Sequence, residues 1–194
     1  MTGSDSGSPS GRGAGTGSGR GRGRRARRQS DRDSAWDYLL DLLSRQAYTV
    51  HQLRQKLARR DVAAETADEL LTRLAELGLV DDDAYAERFV AGRSSSHGRL
   101  ALRRDLLRRG VDEEVLSPHV GALGSQQQAA AATELLRKNA WRYRPSDPPE
   151  DADDHERSLW LRRAEAKARA FLGRRGFDPD AVQEAISVVG WFEE

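Results

Sequence analysis

Leu106–Val111 read LLRRGV, and nearly the same words return at Leu172–Phe177 as LGRRGF and, more loosely, at Leu57–Val62 as LARRDV. A shift of 49 residues lays Leu57 on Leu106, and a further 66 lays that leucine on Leu172. The same shifts superpose Ala67, Leu116 and Val182, then Leu71, Val120 and Ile186, then Leu74, Leu123 and Val189. Steps of four and then three residues are the apolar stripe of a helix, so a helix follows each copy of the motif. Gly110 and Gly176 fit a helix stop, because glycine accepts the left-handed conformation there. The first copy carries Asp61 at that place. The reading is three tandem helical units, each too small to bury its apolar face alone and each packing on its neighbours.

Composition agrees with an all-helical chain. Of 194 residues, 32% are charged and only 6% aromatic, so a core must come mainly from Leu, Val and Ala. There is no cysteine, hence no disulfide framework and no thiolate metal site, as expected of a cytoplasmic protein. No stretch approaches the roughly 20 apolar residues of a membrane span, and the N-terminus lacks the apolar segment of a signal peptide. The net charge of +1 conceals an asymmetry: residues 1–30 carry +6 and the remainder −5. An anion-binding surface on the body must therefore arise from clustering.

Residues 1–30 are Gly, Ser and Arg almost throughout and are expected to be a disordered tail. Trp36, Leu39, Leu40, Leu43 and Ala47 then fall at helical spacing behind an Asp33 or Ser34 cap. Further helices are expected over Thr49–Arg60, over Ala64–Leu77 closed by Gly78, after the Asp81–Asp83 run, over Arg99–Arg109, and after Asp112. Pro118 should kink or shorten the last of these. One long Ala-rich helix is expected from Gln126 to Tyr143, an acidic loop over 144–156, and final helices over Ser158–Leu172 and Asp178–Val189. The total is about nine helices and no strand.

Three arginine registers recur. Arg54, Arg103 and Arg169 fall between the apolar positions of their helices, which suggests a structural role with the stem buried. Arg60, Arg109 and Arg175 sit in a last turn, where a cation meets the negative end of the helix dipole. Arg59, Arg108 and Arg174, joined by Arg104, point outward without a local explanation, and these four are the candidate partner- or DNA-binding residues. Against that stands a general bias of 29 Arg to 3 Lys, since arginine-rich faces are often simply solvated. No aromatic platform accompanies the arginines, which argues against recognition by base stacking.

Catalytic chemistry finds little support. Without a Gly-Lys dipeptide there is no phosphate-binding loop of the Walker type, and the Gly-rich tail never spells G-x-G-x-x-G. The four histidines lack ligand spacing, and Asp81–Asp83 read better as a helix start than as a cation site. No cofactor, metal or enzymatic activity is expected.

Four segments carry a family resemblance: AWDYLLDLLSRQAYTVHQLRQKL at 35–57, LVDDDAYAERFVAGR at 79–93, HGRLALRRDLLRRGV at 97–111 and KARAFLGRRGFDPDAV at 167–182. Together they resemble the RecX family of bacterial regulatory proteins over residues 35 to 192, although no segment alone would be specific. The resemblance implies three tandem three-helix repeats in an elongated, curved array, at 31–80, 81–124 and 125–194. It also implies a noncatalytic, monomeric partner of the RecA recombinase. Such a protein lodges in the groove of the RecA filament on single-stranded DNA and inhibits RecA ATPase, strand exchange and coprotease activity, in recombination, DNA repair and SOS control. Arg59, Arg104, Arg108 and Arg174 would then face filament or DNA. The competing reading is an independent, nonspecific DNA-binding helical module, using the arginines and the tail.

Overall fold

A computed structural model describes residues 19–192 except 149, with side chains from residue 31 onward. Residues 1–18 of the expected disordered tail lie outside the described residues, and α1 (Gly19–Arg45) takes in the rest of it. The helix therefore starts well before Asp33 and Ser34, neither of which caps it. Its buried positions are Ala35 and Leu39, whereas Leu40 is 38% exposed and Ala47 lies beyond the helix end. The chain divides into two compact units, residues 1–44 and residues 45–194.

Nine helices follow in the second unit: α2 (Val50–Ala58), α3 (Ala64–Glu76), α4 (Asp82–Arg93), α5 (Arg99–Arg108), α6 (Glu113–Gly121), α7 (Ser125–Lys138), α8 (Ala140–Tyr143), α9 (Asp154–Arg174) and α10 (Pro179–Val189). No strand is found among the described residues. Local signals set most boundaries. Thr49 and Gln52 make a capping box at the start of α2, and Asp81 accepts from two amides of the first turn of α4. Asp178 caps α10 with Pro179 in the first turn.

Two expectations need correcting, and a third holds. The Ala-rich run is two helices rather than one: Asn139, at φ −111° and ψ 22°, leaves helical geometry, and its side-chain amide donates to the Leu135 carbonyl at 2.7 Å. The turn α8 that follows packs on α9, with the Tyr143 ring stacked 4.5 Å from Phe171, and this packing overrides the helix propensity of the alanines. The acidic loop is shorter than expected, because Asp153 and Glu156 form a capping box that starts α9 at Asp154. The helix containing Pro118 runs only to Gly121, nine residues against 13 and 11 for its counterparts α3 and α10. A proline lacks the amide that would continue the ladder, so this helix is short as anticipated.

The cores also differ from expectation. Phe89, Leu102, Leu106, Val111, Leu116 and Val120 belong to a cluster built by α4, α5 and α6. Leu136, Phe171, Leu172, Phe177, Val182 and Ile186 belong to another, built by α7, α9 and α10. All extensive helix packing in the second compact unit stays within α4–α6, within the triplet α7, α9 and α10 with its added turn α8, or within the pair α2–α3. Each triplet thus buries its own apolar face, rather than depending on its neighbour for a shared core. The superposed stripe is buried in all three copies except at Val189, which is partly covered.

Candidate functional site

The recurring motif is a helix end of one construction. Asp61, Gly110 and Gly176 have φ of 56°, 76° and 79°, in the left-handed region. Their amides donate to Ala58, Leu107 and Gly173 at 3.1, 2.9 and 2.9 Å. The next residues, Val62, Val111 and Phe177, donate to Leu57, Leu106 and Leu172, each at 3.2 Å. This pair of bonds closes carbonyls that a helix end leaves open, and places an apolar residue against the leucine. All three leucines are fully buried.

Two of these ends receive the start of another helix. At the C-terminus of α9, the carbonyls of Arg175 and Gly176 accept from the amides of Gly98 and Leu100 at 2.9 and 3.1 Å. Gln128 of α7 accepts from the amide of Arg99 at 2.8 Å, and the Arg99 side chain pairs with Asp178 at 2.9 Å. The opening amides of α5 are thus capped by the following triplet. At the C-terminus of α5, the carbonyl of Arg109 accepts from the Thr49 hydroxyl at 2.6 Å, and Asp82 of α4 accepts from the amide of Val50 at 3.0 Å. The N-terminus of α2 is satisfied in the same manner.

These joints explain the glycines. A Cβ on Gly110 would lie 2.2 Å from His51 Cγ, and one on Gly176 would lie 2.3 Å from the Ala101 amide nitrogen. Both positions therefore require a left-handed residue without a side chain. Asp61 ends α2, whose C-terminus receives no helix start among the described residues, and Asp is among the residues that tolerate this conformation.

The arginine registers separate as their helix geometry suggested. Arg54 pairs with Asp68 at 2.8 Å, Arg103 with Glu113 at 2.9 Å, and Arg169 donates to Gln183 at 2.7 Å, so each ties the motif helix to the helix after it. Their side chains nonetheless stay 53%, 51% and 35% exposed, so the buried stem is not found. Arg103 and Ser117 hold the Glu113 carboxyl below its ordinary pKa. In the second register Arg109 donates to the Tyr85 hydroxyl at 3.0 Å and lies 4.9 Å from the Phe89 ring, which Arg93 also approaches at 4.6 Å.

The four candidate residues are all exposed. Arg104 and Arg108 come together on α5, where both reach the same carboxylate, Asp105, Arg104 at 3.5 Å. Two guanidinium groups on one carboxylate leave net positive charge on that face. Arg59 and Arg174 lie apart, at the ends of α2 and α9, with no ion pair found for either among the described residues. Asp81, Asp82 and Asp83 are fully engaged in capping, in the joint and in a 2.8 Å contact to His119, and no cluster suited to a metal exists among the described residues.

One feature was missed. Trp141, 81% exposed, and Trp160, 37% exposed, border a groove of about 400 Å³ together with Arg142, Arg144, Arg163 and Lys167. Aromatic rings therefore do accompany arginines in this chain. The signal available was the run WRYRP at 141–145, which the expected long helix absorbed.

Comparison with known proteins bears on the repeat. Residues 35–74 match the model of the first three-helix domain of RecX, and residues 81–117 match that of the second. A regulatory protein RecX of Neisseria meningitidis serogroup B is 32% identical over 158 residues, covering 80% of this chain and 92% of that protein. The chain belongs to the RecX family. A regulatory protein RecX of Mycobacterium sp. (strain JLS) is 31% identical over 80% of this chain and 81% of its own length. The RecX of Amycolatopsis mediterranei is 39% identical, but that match spans only 61% of its length. A crystal structure of a regulatory protein RecX superposes with a TM-score of 0.70 at 26% identity, over 90% of this chain and 80% of that one. RecX from Lactobacillus salivarius, at 21% identity and a TM-score of 0.69 over 84% of this chain and 98% of that one, shares the fold. The RecX resemblance read from the four segments is borne out, and with it an all-helical protein of a regulatory family. No helix among the described residues is long and apolar enough to cross a membrane.

Proposed function

We propose that this chain is a regulator of the RecA recombinase, binding the RecA filament on single-stranded DNA and inhibiting its ATPase, strand exchange and coprotease activity. In this reading it acts in the cytoplasm, as a monomer and without a cofactor, as part of recombination, DNA repair and SOS control. The carrying observation is its place in a family of regulatory proteins, matched through both three-helix domains. The arrangement of arginines supports a polyanionic or acidic partner. Two of the three arginine registers are largely consumed by internal contacts, whereas Arg59, Arg104, Arg108 and Arg174 keep exposed charge.

The test is RecA-dependent ATPase on single-stranded DNA, titrated with this chain and with a variant reversing Arg59, Arg104, Arg108 and Arg174 to Glu. Inhibition by the chain and loss of inhibition in the variant is the expected result. No effect of the chain on RecA overturns the function, and full inhibition by the variant overturns the site. Equal, salt-sensitive affinity for bare DNA and for filament would favour the independent DNA-binding module.

A further inference from the structure

We infer that the groove between α8 and α9 binds single-stranded nucleic acid, with a base stacked on Trp141 and the sugar-phosphate chain held by Arg144, Arg163 and Lys167. The groove exists because α7 stops at Asn139, so that the turn α8 lays Trp141–Tyr143 beside α9. Its floor is one stripe of α9: Trp160, Arg163, Ala164 and Lys167 are spaced three, four and seven residues from the first. Ala164 in the middle of that stripe is small, which leaves the space open. Its far wall is fixed, because the Trp160 indole N–H donates to the Ser146 carbonyl at 3.2 Å.

Its chemistry selects the ligand. Four cations and no acid line the groove, and no ion pair neutralises Arg144, Arg163 or Lys167 among the described residues. The neighbouring Arg169 and Arg137, by contrast, are each paired with a glutamate. Trp141 leaves 81% of its surface in water, beside a buried Tyr143 that already fills the core position of the turn. An open indole face between unpaired cations suits a chain that alternates anionic links with flat π-systems, which is a description of single-stranded nucleic acid. In a duplex the base faces are occupied by their neighbours, so the indole can contribute only to single strands. The volume of about 400 Å³ falls in the range of sites for small ligands and accommodates one nucleotide unit.

The test uses the full chain and an oligothymidylate of about 15 nucleotides, with fluorescence anisotropy and tryptophan quenching as readouts. W141A removes only an exposed side chain, and unchanged helicity and Tm would verify its fold. The expected result is roughly tenfold weaker binding to the single strand and loss of most quenching, with affinity for a duplex of equal length unchanged. R163E/K167E is expected to weaken binding and flatten its salt dependence. Wild-type affinity and quenching in W141A would overturn the proposal. So would groove variants that lose affinity for a RecA filament while keeping affinity for the free strand, which would assign the groove to a protein partner.

Discussion

The hydroxyl of Thr49 donates a hydrogen bond to the backbone carbonyl of Arg109, 2.6 Å away and 60 residues along the chain. The same oxygen accepts from the Gln52 amide at 3.1 Å, so one fully buried side chain caps its own helix and fastens it to the end of α5. Replacing Thr49 with Val keeps the shape and removes both bonds, and is expected to cost about 1–2 kcal/mol. Thr49→Ser should retain most of the stability. Denaturant unfolding of the three proteins checks this, and equal midpoints would contradict the joint.

Gly110 and Asp61 occupy equivalent turns and should respond oppositely to exchange. Gly110→Ala places a methyl group against His51 at a φ of 76°, and a loss of about 2 kcal/mol or more is expected. Asp61→Gly relieves a left-handed residue with no helix start docked on it and should stabilise by up to about 1 kcal/mol. Adding His51→Gly to the Gly110→Ala variant removes the His51 Cβ as well as its ring, both within 2.3 Å of the new methyl, and should recover the part due to contact but not the part due to backbone, as a double-mutant cycle would measure.

His97 provides a pH dependence. Burial, then the neighbouring Arg175 and Arg93, lower its pKa below the ordinary histidine value, so the folded protein resists protonation more than the unfolded chain. As pH falls past the unfolded value near 6.5, the unfolded state gains protons first and stability declines until the lower folded value is passed. His97→Gln should therefore lose less Tm than the wild type between about pH 7.5 and 5. Parallel Tm curves for the two proteins would refute the assignment.

Asp82 behaves in the opposite sense. Burial outweighs its hydrogen bond from Val50 and raises its pKa, so its contribution to stability is present in acid and diminishes as pH rises through the folded value. Asp82→Asn keeps an acceptor for the Val50 amide without the charge and should match or exceed wild-type stability at neutral pH. Asp82→Ala, which leaves that amide unpaired, should be less stable by about 1 kcal/mol. Thermal melts of both variants at neutral pH distinguish these outcomes.

Much of the fold was legible because its signals are local. The caps at Thr49, Asp81 and Asp178, the glycine stops and the three-and-four spacing of the apolar stripe all act within a few residues. Helix geometry likewise separated Arg103, which reaches Glu113 on the next helix, from Arg108, whose ion pair is with Asp105 on its own helix. What escaped depends on distance along the chain. Gln128 caps α5 from 29 residues away, and Asp82 caps α2 from 32, pairings that no periodicity reveals. Helix propensity concealed the break at Asn139, which is set by the packing of Tyr143 on Phe171. Trp141 and Trp160 stand on either side of the acidic loop in sequence, although the two border one groove.

The joints have an electrical consequence. Wherever α9 meets α5, and again where α5 meets α2, a carbonyl end faces an amide end, so opposite poles of successive helices neutralise each other. At the joints side chains share in that balance, Asp82 and Gln128 accepting from the first amides of α2 and α5, whereas at the first and last poles of the series no docked helix helps among the described residues. The amide pole of α9 has Asp153, Asp154 and Glu156, and the carbonyl pole of α2 has Arg59 and Arg60. The interior carbonyl ends carry the same pair of arginines as α2, Arg108 with Arg109 and Arg174 with Arg175, although a docked amide end already faces the pole there.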